Sequence, residues 1–407
     1  MENPSESRRS RLAHIRREGE RVTPLELFFD LVFVLAITQC TALMSHDQTW
    51  SGLAQGLLVL GVLWWAWVGY SWLTSVIDPE AEAIRLVIFV AMAALLIVSL
   101  AVPEAFGSLA LTFALGIGAF RVAHIALFML AGAEDEALRR SVIGLAVSTA
   151  VAVGLLVLAS LFDGIAQGSL WALALFLDMA GPYFFGSEGW KLVPHHFAER
   201  HGLILIIALG ESIVAIGVGA SGALDLGIGT AAVLGVGLAA ALWWIYFDVV
   251  ALISARRLGE AEVGKAQNEL ARDSYSYIHL ALVAGIVLGA FGLKVTIGHH
   301  ADHLHDVPAF ALLGGVAVYL LGLVAFRYRH VRSINRQRLG LAIVLLVLVP
   351  VATEVPALVS LAIVDVLIWS MIAYERRGYG ARRDELRREA NLAHSAAVER
   401  PTDERTS

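Results

Sequence analysis

Carboxylates, guanidinium groups and imidazoles recur inside apolar stretches of this 407-residue chain, at spacings that put them on shared helix faces. Glu26 and Asp30 stand one helical turn apart. Further on the chain reads His195-His196-Phe197-Ala198-Glu199-Arg200-His201-Gly202, then an apolar run, then Gly210-Glu211-Ser212. On a helix, His196 lies one turn before Arg200, and Arg200 and Glu211 fall within about 20° of one face. Arg121 precedes His124 and Arg327 precedes His330 at the same spacing, while Asp178 and Asp365 are isolated acids in apolar surroundings. An ionisable side chain at the centre of a membrane costs at least about 2.5–3.5 kcal/mol unless it finds a partner, water or a proton. Two chemistries follow. The groups form ion pairs that fix helix register, with Arg121, Arg200 or Arg327 neutralising Asp30, Asp178, Glu211 or Asp365, or they line a path along which a carboxyl takes up and releases a proton. Glu26 has a further reading, as a capping residue after Thr23-Pro24.

Other chemistries find no support. There is no His-Glu-x-x-His pair of turns, no glycine-rich phosphate loop and no Gly-x-Ser-x-Gly elbow, so no cofactor is implied. His299, His300, His303 and His305 are weak metal candidates in a short loop and read more simply as a solvated, pH-responsive segment. The single cysteine, Cys40, rules out an intrachain disulfide framework and a thiolate metal knuckle. A formal charge of −6, with basic residues only in short clusters, is no nucleic-acid footprint.

The elements that must position these groups are membrane helices. Apolar residues make up 58% of the chain and charged residues 16%, and strand-like alternation is absent. Twelve segments are long enough to span: 24–45, 51–76, 83–102, 105–131, 140–161, 168–186, 197–219, 225–253, 273–297, 307–328, 337–353 and 355–375. Pro350 and Pro356 leave open whether the last two are separate helices or one kinked pair. With the N-terminus inside, Lys and Arg collect in the inner segments, around Arg16, Arg139, Lys191, Arg256, Arg329 and Arg376, and the outer loops carry none. Both termini are therefore expected in the cytoplasm. Trp50 and Trp190 are expected at the interfaces, whereas Trp64, Trp65, Trp67, Trp243 and Trp244 must pack inside.

The chain also reads as a duplication. Leu63-Trp64-Trp65 recurs as Leu242-Trp243-Trp244, Ala119-Phe120-Arg121-x-x-His124 as Ala325-Phe326-Arg327-x-x-His330, and Asp178 is matched by Asp365 in the sixth span of each half. Six spans per half makes the repeats parallel, with a site expected between them. The expected fold is an all-α polytopic membrane bundle of about twelve helices in two parallel six-helix repeats. Its divisions are a basic cytoplasmic arm at 1–22, a first repeat at 23–186, a linker at 187–196, a second repeat at 197–376 and a charged tail at 377–407. Any helix in that tail, around Asp384–Ala393, is expected to be short. Gly285-x-x-x-Gly289 leaves self-association open.

Leu25-Glu26-Leu27-Phe28-Phe29-Asp30-Leu31-Val32-Phe33, Glu199-Arg200-His201-Gly202-Leu203 and Leu209-Gly210-Glu211-Ser212 resemble the signature blocks of the bacterial low temperature requirement protein A family, and the likeness runs from about Val22 to Tyr374. The resemblance implies a multi-pass protein of the bacterial inner membrane. Its signature positions here are Glu26, Asp30, Glu199, Arg200, His201 and Glu211, and it implies no settled activity. From the residues, the expectation is a transporter or channel-like protein moving a small solute or ion through a polar cavity beside helices one and seven, with Asp30 or Glu211 as the proton-coupled acid. An intramembrane enzyme acting on a lipid or isoprenoid, and a scaffold without flux, are the rival readings. The bilayer and an unidentified solute, ion or lipid are the expected partners.

Overall fold

The computed structural model describes residues 21–133, 135–184, 189–220 and 225–398, with side chains described to Gly378. The expected basic arm before Arg21, residues 185–188 at the end of the first repeat and the start of the linker, and the end of the tail lie outside the described residues.

The first half comprises α1 (Pro24–His46), α2 (Trp50–Thr74), α3 (Glu82–Ala101, with a 3-10 turn at Val102–Glu104), α4 (Ala110–Ala131), α5 (Glu136–Ala159) and α6 (Gly164–Phe184). The second comprises α7 (Pro194–Gly219), α8 (Leu226–Glu260), α9 (Lys265–Gly298), α10 (Asp306–Val331), α11 (Arg336–Val347), the single turn α12 (Val349–Ala352) and α13 (Ala357–Val398). Among the described residues, eleven helices are long and apolar enough to cross a membrane. The segment expected at 337–353 is divided between α11 and α12. Pro350 has no N–H to continue the α11 ladder, which gives way at Leu348.

Helix starts are written in local chemistry. Thr23 accepts the Glu26 N–H and Glu26 returns a bond to the Thr23 N–H, a reciprocal capping box ahead of Pro24. Asp135, Asp225 and Asn335 cap α5, α8 and α11 by accepting the backbone N–H of Leu138, Ile228 and Arg338. The α8 and α9 helices outrun their apolar stretches, because Arg256, Arg257 and Lys265, all exposed, extend a helix into water at no desolvation cost. For the same reason α13 continues unbroken through the tail to Val398, where only a short helix was expected. Each of α8 and α9 contains a π-helical stretch, Tyr246–Val250 and Arg272–Ile278.

In the first half α1 packs on α2 and α3, α3 on α4, α4 on α5, α5 on α6, and α2 on α4 and α6. In the second half α7 packs on α8 and α9, α9 on α10, α10 on α11, α11 on α13, and α8 on α10 and α13. The α1 helix joins the halves by lying against α7 and α9. Gly285, Gly289, Gly292 and Gly315 lie where α9 and α10 touch backbone to backbone, so the Gly285-x-x-x-Gly289 face is covered by α10 of the same chain. Outward faces carry large apolar side chains such as Phe28, Leu86, Val122, Phe176 and Val233. Trp64, Trp65 and Trp67 are packed as expected, but Trp243 faces outward, nearly half exposed.

Long-range contacts tie the helix ends into two faces. One holds Val22 with Glu199, Lys191 with Asp135, Asn268 with Trp190, Arg329 with Asp273 and Arg338 with Glu375. The other holds His300 with Asp225, Trp50 with Phe310, and Ala357 with the carbonyl of Asp302. Lys191, Arg329 and Arg338 belong to the first, basic face.

Candidate functional site

Where α1 meets α7, two one-turn pairs face each other. Glu26 and Asp30 come from α1, His196 and Arg200 from α7, and Asp30, His196 and Arg200 are each 0% exposed. Arg200 donates from Nη1 to Glu26 Oε1 at 3.0 Å and from Nη2 to Asp30 Oδ1 at 2.8 Å. His196 Nε2 lies 2.8 Å from the same Glu26 oxygen, and its Nδ1 is 3.3 Å from Ser75 Oγ. Trp67 of α2 donates its indole N–H to Asp30 Oδ1 at 2.9 Å, and the Arg200 guanidinium lies 5.6 Å from the Trp67 ring centroid. Glu26 is therefore both the helix cap and part of the ion pair.

The charge inventory is two carboxylates against one guanidinium and one imidazole. Asp30 Oδ2 and Arg200 Nε are buried without a hydrogen-bond partner, beside a small void lined by Glu26, Phe29, Tyr70 and Arg200.

Glu211 belongs to a second polar contact of the same two helices. Thr38 and Thr41 of α1 each lie 2.5 Å from one of its carboxylate oxygens. The pairs Glu26–His196, Asp30–Arg200 and Thr41–Glu211 all have a sequence separation of 170, so α1 and α7 run parallel in fixed register. Glu211 pairs with hydroxyls where an arginine was one of the expected partners.

His201 turns toward a cluster that sequence reasoning missed. Its ring lies 4.9 Å from Trp67, 5.1 Å from Tyr275 and 5.3 Å from His279. The π-helical stretches of α8 and α9 meet here, with Tyr246 Oη 3.0 Å from His279 Nε2. The stretch in α9 also takes the indole N–H groups of Trp64 and Trp72, on Ser276 O and Oγ at 2.8 and 3.0 Å. His201 Nε2, Tyr275 Oη and His330 Nε2 are buried and unbonded. The polar run Asp273-Ser274-Tyr275-Ser276-Tyr277 at the start of an expected span was the available signal; π-helical geometry, common at functional sites, has none.

The remaining candidates lie apart from α1–α7. Arg121 of α4 pairs with Asp178 of α6 at 3.2 Å, and Thr149 of α5 bonds both. His124 is fully buried with its ring against Gly69. The matching residues of the second half make no such pair: Arg327 bonds Ser333, Asp365 Oδ1 is buried without a partner near Gly237, and the buried pair there is Arg338–Glu375. Glu199 accepts the Val22 N–H at the surface. Among the described residues no group of His, Cys, Asp and Glu could hold a metal ion; His299 lies by Asp302 and His300 by Asp225. Asp30, Glu211, Asp178 and Asp365 thus occupy separate sites, and Asp30 is fully buried and paired with Arg200.

The model of the family described as bacterial low temperature requirement A protein (LtrA) matches residues 21–373. An uncharacterized protein, RA0937, of Rhizobium meliloti (strain 1021) is 29% identical over 370 residues, covering 86% of this chain and 88% of the relative. No solved structure matches the chain.

Proposed function

Since the chain belongs to the bacterial low temperature requirement A family and buries an acid–base cluster where its first and seventh helices meet, we propose that it is a membrane transport protein moving a small solute or ion with proton coupling. The observation that carries this reading is the buried Glu26–Asp30–His196–Arg200 cluster, two carboxyl groups held against a guanidinium and an imidazole. An ionisable group inside a membrane bundle is costly to keep and is a mark of ion pathways and proton relays. Asp30 is sealed here, so proton exchange requires α1 to part from α7, and the described conformation is the closed one at that point.

The proposed architecture is twelve crossings in two parallel six-helix repeats. The two halves share one pattern of neighbours, and α1 and α7 run parallel at constant register, as equivalent first helices about an axis along the membrane normal would. The α11–α12 segment leads from the face of Arg338 and Glu375 to that of Asp302 and Ala357, which supports a crossing even though its helix is broken. The clustering of arginine and lysine on one face supports cytoplasmic termini and an inner-membrane location.

The test is purified protein in vesicles under an imposed pH gradient, with internal pH followed while a panel of small solutes and ions is added. Wild type is expected to move protons with one or more of them, and folded Asp30→Asn and Glu211→Gln proteins are expected to lose that coupling. Wild-type behaviour of both variants, or no flux above empty vesicles across the panel, overturns the proposal.

A further inference from the structure

Two cavities flank Arg121, the first of them walled by helices of both halves. One, with about 620 Å³ of empty space partly open to solvent, is lined on the basic side by Trp65, Trp72, Arg121, Leu145, Trp190 and Arg272 among others. The other, a small void of about 20 Å³, lies beyond it, bounded by Val62, Ile117, Arg121, Val153, Leu175 and Asp178 among others. Arg121 lines both, so its ion pair with Asp178 stands between them.

The walls of the first cavity fix what it can hold. Trp65, Val68, Gly69 and Trp72 form one face of α2, opposed by Asn268, Arg272 and Ser276 on one face of α9, with Trp190 among the lining. Three indoles and aliphatic side chains suit an apolar body. The deep polar feature is Arg121, 2% exposed, whose Nη1 donates to Trp65 O and whose Nη2 donates to Thr149 and Asp178. Its Nε–H has no acceptor. A buried guanidinium hydrogen without an acceptor is costly to leave and is satisfied by a ligand oxygen. At the lining residue Arg272 the charge is positive as well. Asp273 lies between Arg272 at 2.9 Å and Arg329 at 3.0 Å, one carboxylate for two guanidinium groups.

We propose that this cavity binds a small organic monoanion, an aromatic or alkyl carboxylate, with the carboxylate on the Arg121 guanidinium and the body among Trp65, Trp72 and Trp190. That this anion is the transported solute rests on the reading given above; occupancy of the site does not.

The test is binding of radiolabelled benzoate and decanoate to the purified full-length protein in detergent, with benzyl alcohol as the neutral match. Saturable binding of an acid but not of the alcohol is expected. Benzoate alone identifies a soluble acid as the source, decanoate alone a fatty acid from the bilayer, and both together the carboxylate and apolar body they share. Arg121→Met is expected to weaken binding at least about tenfold, the effect of losing a hydrogen bond between charged groups. Asp178→Asn, which removes the competing carboxylate, is expected to tighten it. Leu145→Trp fills the cavity without touching the ion pair and is expected to abolish binding in a folded protein. No saturable binding of either acid, equal binding of benzyl alcohol, or wild-type affinity in folded Leu145→Trp overturns the proposal. Flux lost with acid binding kept overturns the transport reading alone, and acid binding lost with flux kept overturns this site alone.

Discussion

Arg200 holds two carboxylates of α1 at once, so the α1–α7 contact depends on it more than on any acid it binds. Taking away one partner of a buried ion pair strands the other, at about 3–5 kcal/mol. Arg200→Met is therefore expected to lower the unfolding temperature of the purified protein sharply. Adding Glu26→Gln and Asp30→Asn to that variant is expected to restore part of the loss, because no charge is then left alone. A triple variant no more stable than Arg200→Met would mean that the arginine acts through packing on Trp67. Glu26, Asp30, Arg200 and Glu211 were legible in the sequence because charge is conspicuous in an apolar run. Their partners were not: Trp67, Thr38, Thr41 and Tyr275 are ordinary residues of a membrane helix, and only the packing of other helices makes them ligands of an acid or neighbours of an imidazole.

Among the elements, the α5 start gives a pH-dependent expectation. Asp135 accepts the Leu138 N–H at 3.1 Å, which holds its carboxyl below the usual carboxylate range, with Lys191 3.4 Å away adding to the effect. A folded value below the unfolded one gives stability that is complete above the unfolded value, near 3.9, and is lost as pH falls through the folded one. Unfolding curves from about pH 6 to about pH 3 are expected to show Asp135→Asn losing less at the acid end than wild type does, since it has no such proton to take up. The π-helical stretch of α9 gives a second expectation. Deleting Ser274 rotates the arm before it by about 100° relative to the rest of the helix. Asn268 then leaves Trp190 and Arg272 leaves Tyr183, so lower thermal stability is expected. Helix existence was readable from apolar run length. The true lengths of α8, α9 and α13 were not, because hydropathy marks where a helix meets lipid and polar helix formers carry it further.

On the scale of the whole molecule, the broken segment α11–α12 decides between eleven crossings and twelve. Cys40 is fully buried, so an introduced thiol is expected to be the reactive one. Ile334 and Glu354 are exposed at the two ends of the segment. In sealed vesicles of one orientation, Ile334→Cys and Glu354→Cys are expected to react with an impermeant maleimide from opposite sides; reaction from the same side would make α11–α12 re-entrant. The unequal use of Arg121 and Arg327 was not legible, because the shared Ala-Phe-Arg-x-x-His string says nothing of which residues pack around each arginine. The constant separation of 170 between α1 and α7 limits how these helices can move. Sliding one past the other by a turn would break the Arg200 rung and the Glu211 rung together. Tilting breaks one while the other stays shut, so each rung can serve as the fulcrum on which its counterpart opens.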